Sequence, residues 1–201
     1  MDDELRRLTE RPGPGSHRVT ATIGGRSLET LSDLPPAPGG LLFVDDAPAR
    51  ASVAAGHHGQ DGAGAVLWAR LGQAGVLPAG TRLDTADDAL VAMGHGFAVL
   101  DARPRPDRPG GGGTASDREL TAGVGPLWQR IALWRPAAIV FVSVVAARIA
   151  AGGRLAVPWG VLEGVALAGR PCILLPPDDA AQESESVAID LLRNLLAALP
   201  R

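Results

Sequence analysis

This 201-residue chain has no lysine and no tyrosine, a single cysteine, a single asparagine and only 3% aromatic residues. One cysteine excludes an intrachain disulfide, a cysteine-ligated zinc site and an iron–sulfur cluster held within the chain. Cys172 precedes Ile173, Leu174 and Leu175, so it is expected to be a small buried hydrophobe. Long apolar runs are missing too. None approaches the roughly 18 residues needed to cross a bilayer, and the N-terminus MDDELRRLTERPGPG has no apolar signal region. A soluble, cytoplasmic protein with no membrane partner is the expectation. All 19 basic residues are arginine, and against 22 acids they leave a net charge of −3. That balance excludes a strongly basic nucleic-acid binder, although not a local basic groove.

What the chain does contain is 46% apolar residues, enough for a core, in a length that suits one domain with a short tail. Residues 1–38 are polar and broken by proline and glycine, and read as a leader to a domain spanning 39–201. Leu41, Leu42, Phe43 and Val44 form a continuous apolar run of the kind buried on both faces of a sheet. Residues 97–100, 137–145 and 171–175 are the other predicted strands, 137–145 carrying most of the β-branched residues. Between them lie predicted helices at 65–74, at 85–93 with Thr85 as N-cap, and from a capping box of Ser116 and Glu119 to about Trp134. Further helices are expected at 146–151 and 187–199, the last with Val187, Leu191, Leu195 and Leu199 on one stripe and Asn194 at its surface. This alternation predicts an α/β fold, a three-layer α/β/α sandwich around a mostly parallel sheet of four or five strands.

Ligands in open α/β sheets bind beyond the carboxyl ends of the strands, which singles out the loops 45–64 and 176–186. The order LLFVDDAPARASVAAGHHGQDGAGAVLW across the first loop resembles the mismatch-specific uracil/thymine-DNA glycosylase branch of the uracil-DNA glycosylase superfamily. That branch places G-I-N-P after an apolar strand and then G-H-H-F-x-x-P-G-N-R-F-W. GHGFAVLDARPRPDR, SDRELTAG, WRPAAIVFVS and LAGRPCILLPP are similar, in the same order, to later stretches of the family, so the resemblance covers roughly residues 30–200. It implies a uracil-DNA glycosylase-like fold, hydrolysis of the N-glycosidic bond of a damaged or mismatched base, DNA or a small nucleobase-like ligand as partner, a monomer, and no cofactor or metal.

The active-site positions depart from the family. Ala47 in Asp45-Asp46-Ala47-Pro48 stands where the family's asparagine handles the attacking water, Gly59 replaces the base-stacking phenylalanine, and the base-reading asparagine falls near Gly64 or Ala65. Trp68 keeps the helix landmark. In place of N-P-S-G-L the second loop reads Pro176-Pro177-Asp178-Asp179-Ala180-Ala181-Gln182-Glu183, and Asp178, Asp179, Glu183 and Glu185 are expected to repel a phosphate backbone, screening reaching only about 8 Å at physiological salt. Other branches of the superfamily have alanine at the first motif and one is thought to use a later aspartate, although they carry an iron–sulfur cluster and H-P-S, both missing here. Asp46 and Asp61 are the matching candidates to orient water and offset oxocarbenium charge. Asp45, Ala47, Pro48, His57, His58, Gly59, Pro176, Pro177 and Asp178 are the candidate base-binding residues. The competing expectation is a catalytically silent homologue that binds a base, a nucleotide or a protein. Adjacent histidines point in different directions and no third ligand follows at a metal-site spacing, so His57 and His58 read as structural or exposed. Gly110 to Gly113 lacks the lysine and preceding strand of a phosphate loop. Arg103, Arg105 and Arg108 form the best candidate basic patch.

Overall fold

A computed structural model describes residues 15–105, 117–153, 159–177 and 182–199. The elements run β1 (Arg18–Ile23), β2 (Arg26–Leu31), β3 (Leu41–Asp45), α1 (Arg50–Ala55), α2 (Gly62–Ala74), a single 3₁₀ turn (Leu83–Thr85), α3 (Ala86–Ala92) and β4 (Gly96–Val99), and continue with α4 (Asp117–Trp134), β5 (Ala138–Phe141), α5 (Val144–Ala150), β6 (Gly160–Leu167), β7 (Arg170–Leu174) and α6 (Gln182–Ala198). Five strands make one sheet in the order β4-β3-β5-β7-β6, parallel except for the antiparallel β6–β7 pair. The expected α/β class and mostly parallel sheet are present. β6 is an addition, and it closes the far edge.

Alternation along the strands builds a core on each face. Leu41 and Phe43 of β3 pack with Leu67 and Leu71 of α2, Leu90 of α3 and Leu192 of α6. Leu42 and Val44 face Leu120, Leu127 and Ile131 of α4 and Ala146 of α5. Cys172 lies fully buried in this second core, where desolvation pushes its thiol up to about 11, as suits the expected inert hydrophobe.

Several expectations change. The strand expected to run to residue 145 stops at Phe141, because Ser143 accepts a hydrogen bond from Ala146 N (3.3 Å) and turns Val144 and Val145 into helix α5. In α6 the buried stripe is Ala188, Ile189 and Leu192, leaving Val187 exposed, while Asn194 is at the surface as expected. Thr85 precedes α3, but its hydroxyl donates to Arg82 O instead of capping the helix. Ser116 lies outside the described residues.

The largest change concerns the leader. From Arg18 onward the chain forms the β1–β2 hairpin, closed by Gly24 and Gly25 at φ 59° and 76°, the paired positive values of a two-residue primed turn. Residues 32–37 then cover the outer edge of β4. Leu34 N donates to Phe97 O (2.7 Å) and Phe97 N returns to Leu34 O (2.9 Å). A Cβ at Gly96 would sit 2.2 Å from Leu34 O, so this approach requires glycine there.

His95, just before β4, accepts from Leu41 N at Nδ1 (3.1 Å), which needs a neutral imidazole, and burial holds its pKa below the ordinary 6.5. The unfolded chain therefore binds more protons than the folded one just below pH 6.5, and the stability present above that pH is lost as pH falls toward the folded value. Thermal unfolding between pH 7.5 and 5.5 should show a shallower acid-side fall in Tm for His95→Gln than for the unaltered chain. Identical slopes would disprove the linkage.

Candidate functional site

The connection from β3 leads to β4 on one side, while that from β5 leads toward β7 on the other. Their carboxyl ends therefore part around a crevice, the place where doubly wound sheets bind ligands. An open cavity of about 840 Å³, mouth included, occupies it. Its floor is apolar, made by Leu67, Phe97, Val99, Val142 and Leu175.

Asp45, Asp46, Ala47, Pro48, His58, Gly59, Asp61 and Pro176 all line this cavity. Eight candidates drawn from both loops are thus brought together. Asp46 is only 2% exposed, and its backbone is held from both sides: its N–H donates to Asp45 Oδ1 (2.8 Å) and its carbonyl accepts from Asp101 N (2.9 Å). Asp61 caps α2, accepting from Gly64 N at Oδ1 (2.9 Å). Its carboxylate therefore has one oxygen engaged in structure. Ala47 is buried and presents a methyl group.

The first loop contains a helix, α1, that was expected to be irregular, and it ends in a rigid turn. Gln60 N donates to Ser52 Oγ (2.9 Å), while Gln60 Nε2 and Trp68 Nε1 both donate to His58 O (3.2 and 3.1 Å). His58 is buried against Phe97, ring centroids 4.7 Å apart, and its Nε2 lies 3.0 Å from Ser32 O. A carbonyl can only accept, so Nε2 carries the proton and Nδ1 is the acceptor of a neutral ring. Burial keeps it neutral by lowering its pKa. His57 points away from the cavity toward His17 and Asp87.

Gly59, at φ 60°, stands where a stacking phenylalanine was sought. A Cβ there would lie 2.5 Å from Trp68 Nε1, and one on Gly64 would lie 2.1 Å from Gly59 Cα. The two glycines let the turn press onto the start of α2. Because Gly64 would meet backbone atoms rather than a flexible side chain, Gly64→Ala should cost about 1–3 kcal/mol in urea unfolding. A loss below a few tenths would show that the turn yields freely.

Arg70 was not anticipated, although an arginine between Leu67 and Leu71 on an apolar helix face is a signal. It is buried, donates from Nη1 to Pro176 O (2.9 Å) and Nη2 to Pro177 O (3.4 Å), and pairs through Nε with Glu185 Oε2 (2.6 Å). Glu185, expected to repel a phosphate backbone, is instead neutralised at the cavity wall. Pro177 contributes through this carbonyl and does not line the cavity. Asp178, Asp179 and Arg108 lie outside the described residues. Arg103 and Arg105, expected to offer a basic patch, both bind Asp101, and Arg103 also binds Glu119.

Comparison of the chain with models of known protein families and with curated proteins finds no match.

Proposed function

We propose that the chain is a nucleobase-binding protein on a uracil-DNA glycosylase-like scaffold, with slow hydrolysis of N-glycosidic bonds carried by Asp46. The observation that supports this most is the buried Asp46 carboxylate in a crevice that also holds Asp61, His58 and Pro176. The apolar floor with Phe97 suits a flat ring, and the acids favour a base that offers N–H donors. In the proposed reaction Asp46 accepts a proton from water as the water oxygen bonds to the anomeric carbon. The glycosidic bond breaks with its electrons leaving on the base, and until that proton arrives the Asp46 carboxylate offsets the oxocarbenium charge that develops. A base inside a duplex would first have to be flipped out.

Ala47 favours a second reading, a base-binding module without catalysis, since a methyl group neither holds nor polarises water. One experiment separates the two. Duplexes carrying G:U or G:T and single-stranded DNA carrying U are incubated with the chain, and abasic sites are revealed by strand cleavage, alongside NMR titration with free bases. Slow abasic-site formation supports hydrolysis; base binding with no abasic product supports the module; neither binding nor product overturns both.

A further inference from the structure

On the far side of the His57–His58 peptide from the cavity, three side chains distant in sequence converge. His17 directly precedes β1, His57 follows α1, and Asp87 lies in the first turn of α3. One ligand-type atom from each falls within 4.8 Å of the others. His17 Nε2 and His57 Nδ1 are both 3.7 Å from Asp87 Oδ2, and His17 Nε2 is 3.4 Å from Asp88 Oδ1. His17 is 2% exposed and Asp87 is fully buried.

These separations are too long for good hydrogen bonds, and both ring nitrogens of His17, Nδ1 of His57 and Oδ1 of Asp87 are buried without a hydrogen-bond partner. Native structures rarely leave so many buried polar atoms together unsatisfied. The same spacing suits a shared cation. Metal–nitrogen and metal–oxygen bonds of about 2.0–2.1 Å in a tetrahedron put neighbouring ligand atoms about 3.3 Å apart.

We infer that His17, His57 and Asp87 form a structural zinc site that ties the β1–β2 hairpin and the cavity-lining loop to α3. Two imidazoles and a carboxylate are a donor set of the zinc type, and Asp88 flanks the fourth position. Asp87 Oδ2 also accepts from His58 N (2.8 Å), so the carboxylate that binds the ion also holds the wall of the cavity. This site stands independently of the function proposed above.

The test uses the untagged full chain, freed of metal with a chelator and then titrated with zinc, or with cobalt as a spectroscopic probe. Expected are one zinc per chain, visible cobalt bands of tetrahedral intensity, and a rise in Tm with zinc. His57→Ala should weaken zinc by more than about 100-fold, beyond the loss typical of a supporting outer group. Long-range proton–nitrogen NMR spectra of the unaltered chain supply a measurement that needs no variant to fold, and zinc should shift the ring nitrogens of His17 and His57. Absence of zinc binding, equal binding by His57→Ala, or unmoved His17 and His57 nitrogens would each overturn the site.

Discussion

Asp33→Ala is expected to remove about 3–5 kcal/mol from the stability of the fold, the cost of stranding one member of a buried ion pair. Asp33 and Arg130 are 2% and 5% exposed, and Arg130 Nη1 donates to Asp33 Oδ2. The pair also serves the backbone of the edge strand. Asp33 Oδ1 accepts from Val99 N (3.2 Å), and Arg130 Nη2 donates to Val99 O (3.0 Å). Together with the Leu34–Phe97 bridge, this satisfies the outer edge of β4, which would otherwise be open to pairing with another chain. Replacing both partners by apolar residues often restores the stability that a single change removes. Here Asp33→Leu with Arg130→Met should recover only part, since Val99 N–H and C=O would be left buried at about 1–3 kcal/mol each. Urea unfolding of the single and double variants decides the matter. A loss under 1 kcal/mol for Asp33→Ala, or full recovery in the double variant, would refute this account of the edge.

Asp46→Ala is expected to lower any base release by about 100-fold or more, the usual consequence of deleting one polar group that acts on the reacting atoms. Asp61→Ala should behave differently. Its oxygen on Gly64 N makes it a helix cap, so about 0.5–2 kcal/mol of stability is lost. The pair of variants separates chemistry from architecture, because the first should lose base release beyond any change in Tm, while the second should lower Tm with little change in rate. Rates measured on single-stranded uracil DNA, with Tm recorded on the same preparations, provide the comparison. Unchanged base release in Asp46→Ala would remove the proposed role of this carboxylate.

The strands that carry the site were legible because each is a short apolar run flanked by breakers, and Asp45 and Asp46 follow directly on one of them. The hairpin has a local signal of its own that competes with another. RVTATIGGRSLETL alternates around a Gly-Gly pair, yet its polar face and neighbouring prolines made it look like a leader. Strand β6 gives a weaker signal, its glycines at 160 and 164 adopting positive φ and its register slipping between Val161 and Ala166. Propensity alone puts Val144 and Val145 in a strand, where the cap at Ser143 prevails.

Local patterns in the chain determined the α/β class, the mostly parallel sheet, the buried cysteine and the loops from which the cavity is built, since each rests on residues close together along the backbone. Which acids meet in that cavity, which arginines are already neutralised, and that residues 17, 57 and 87 share one buried point were decided only by the tertiary structure. Pairing energies between charges and ligand atoms depend on separation in space, and a separation of dozens of residues along a chain carries no record of it.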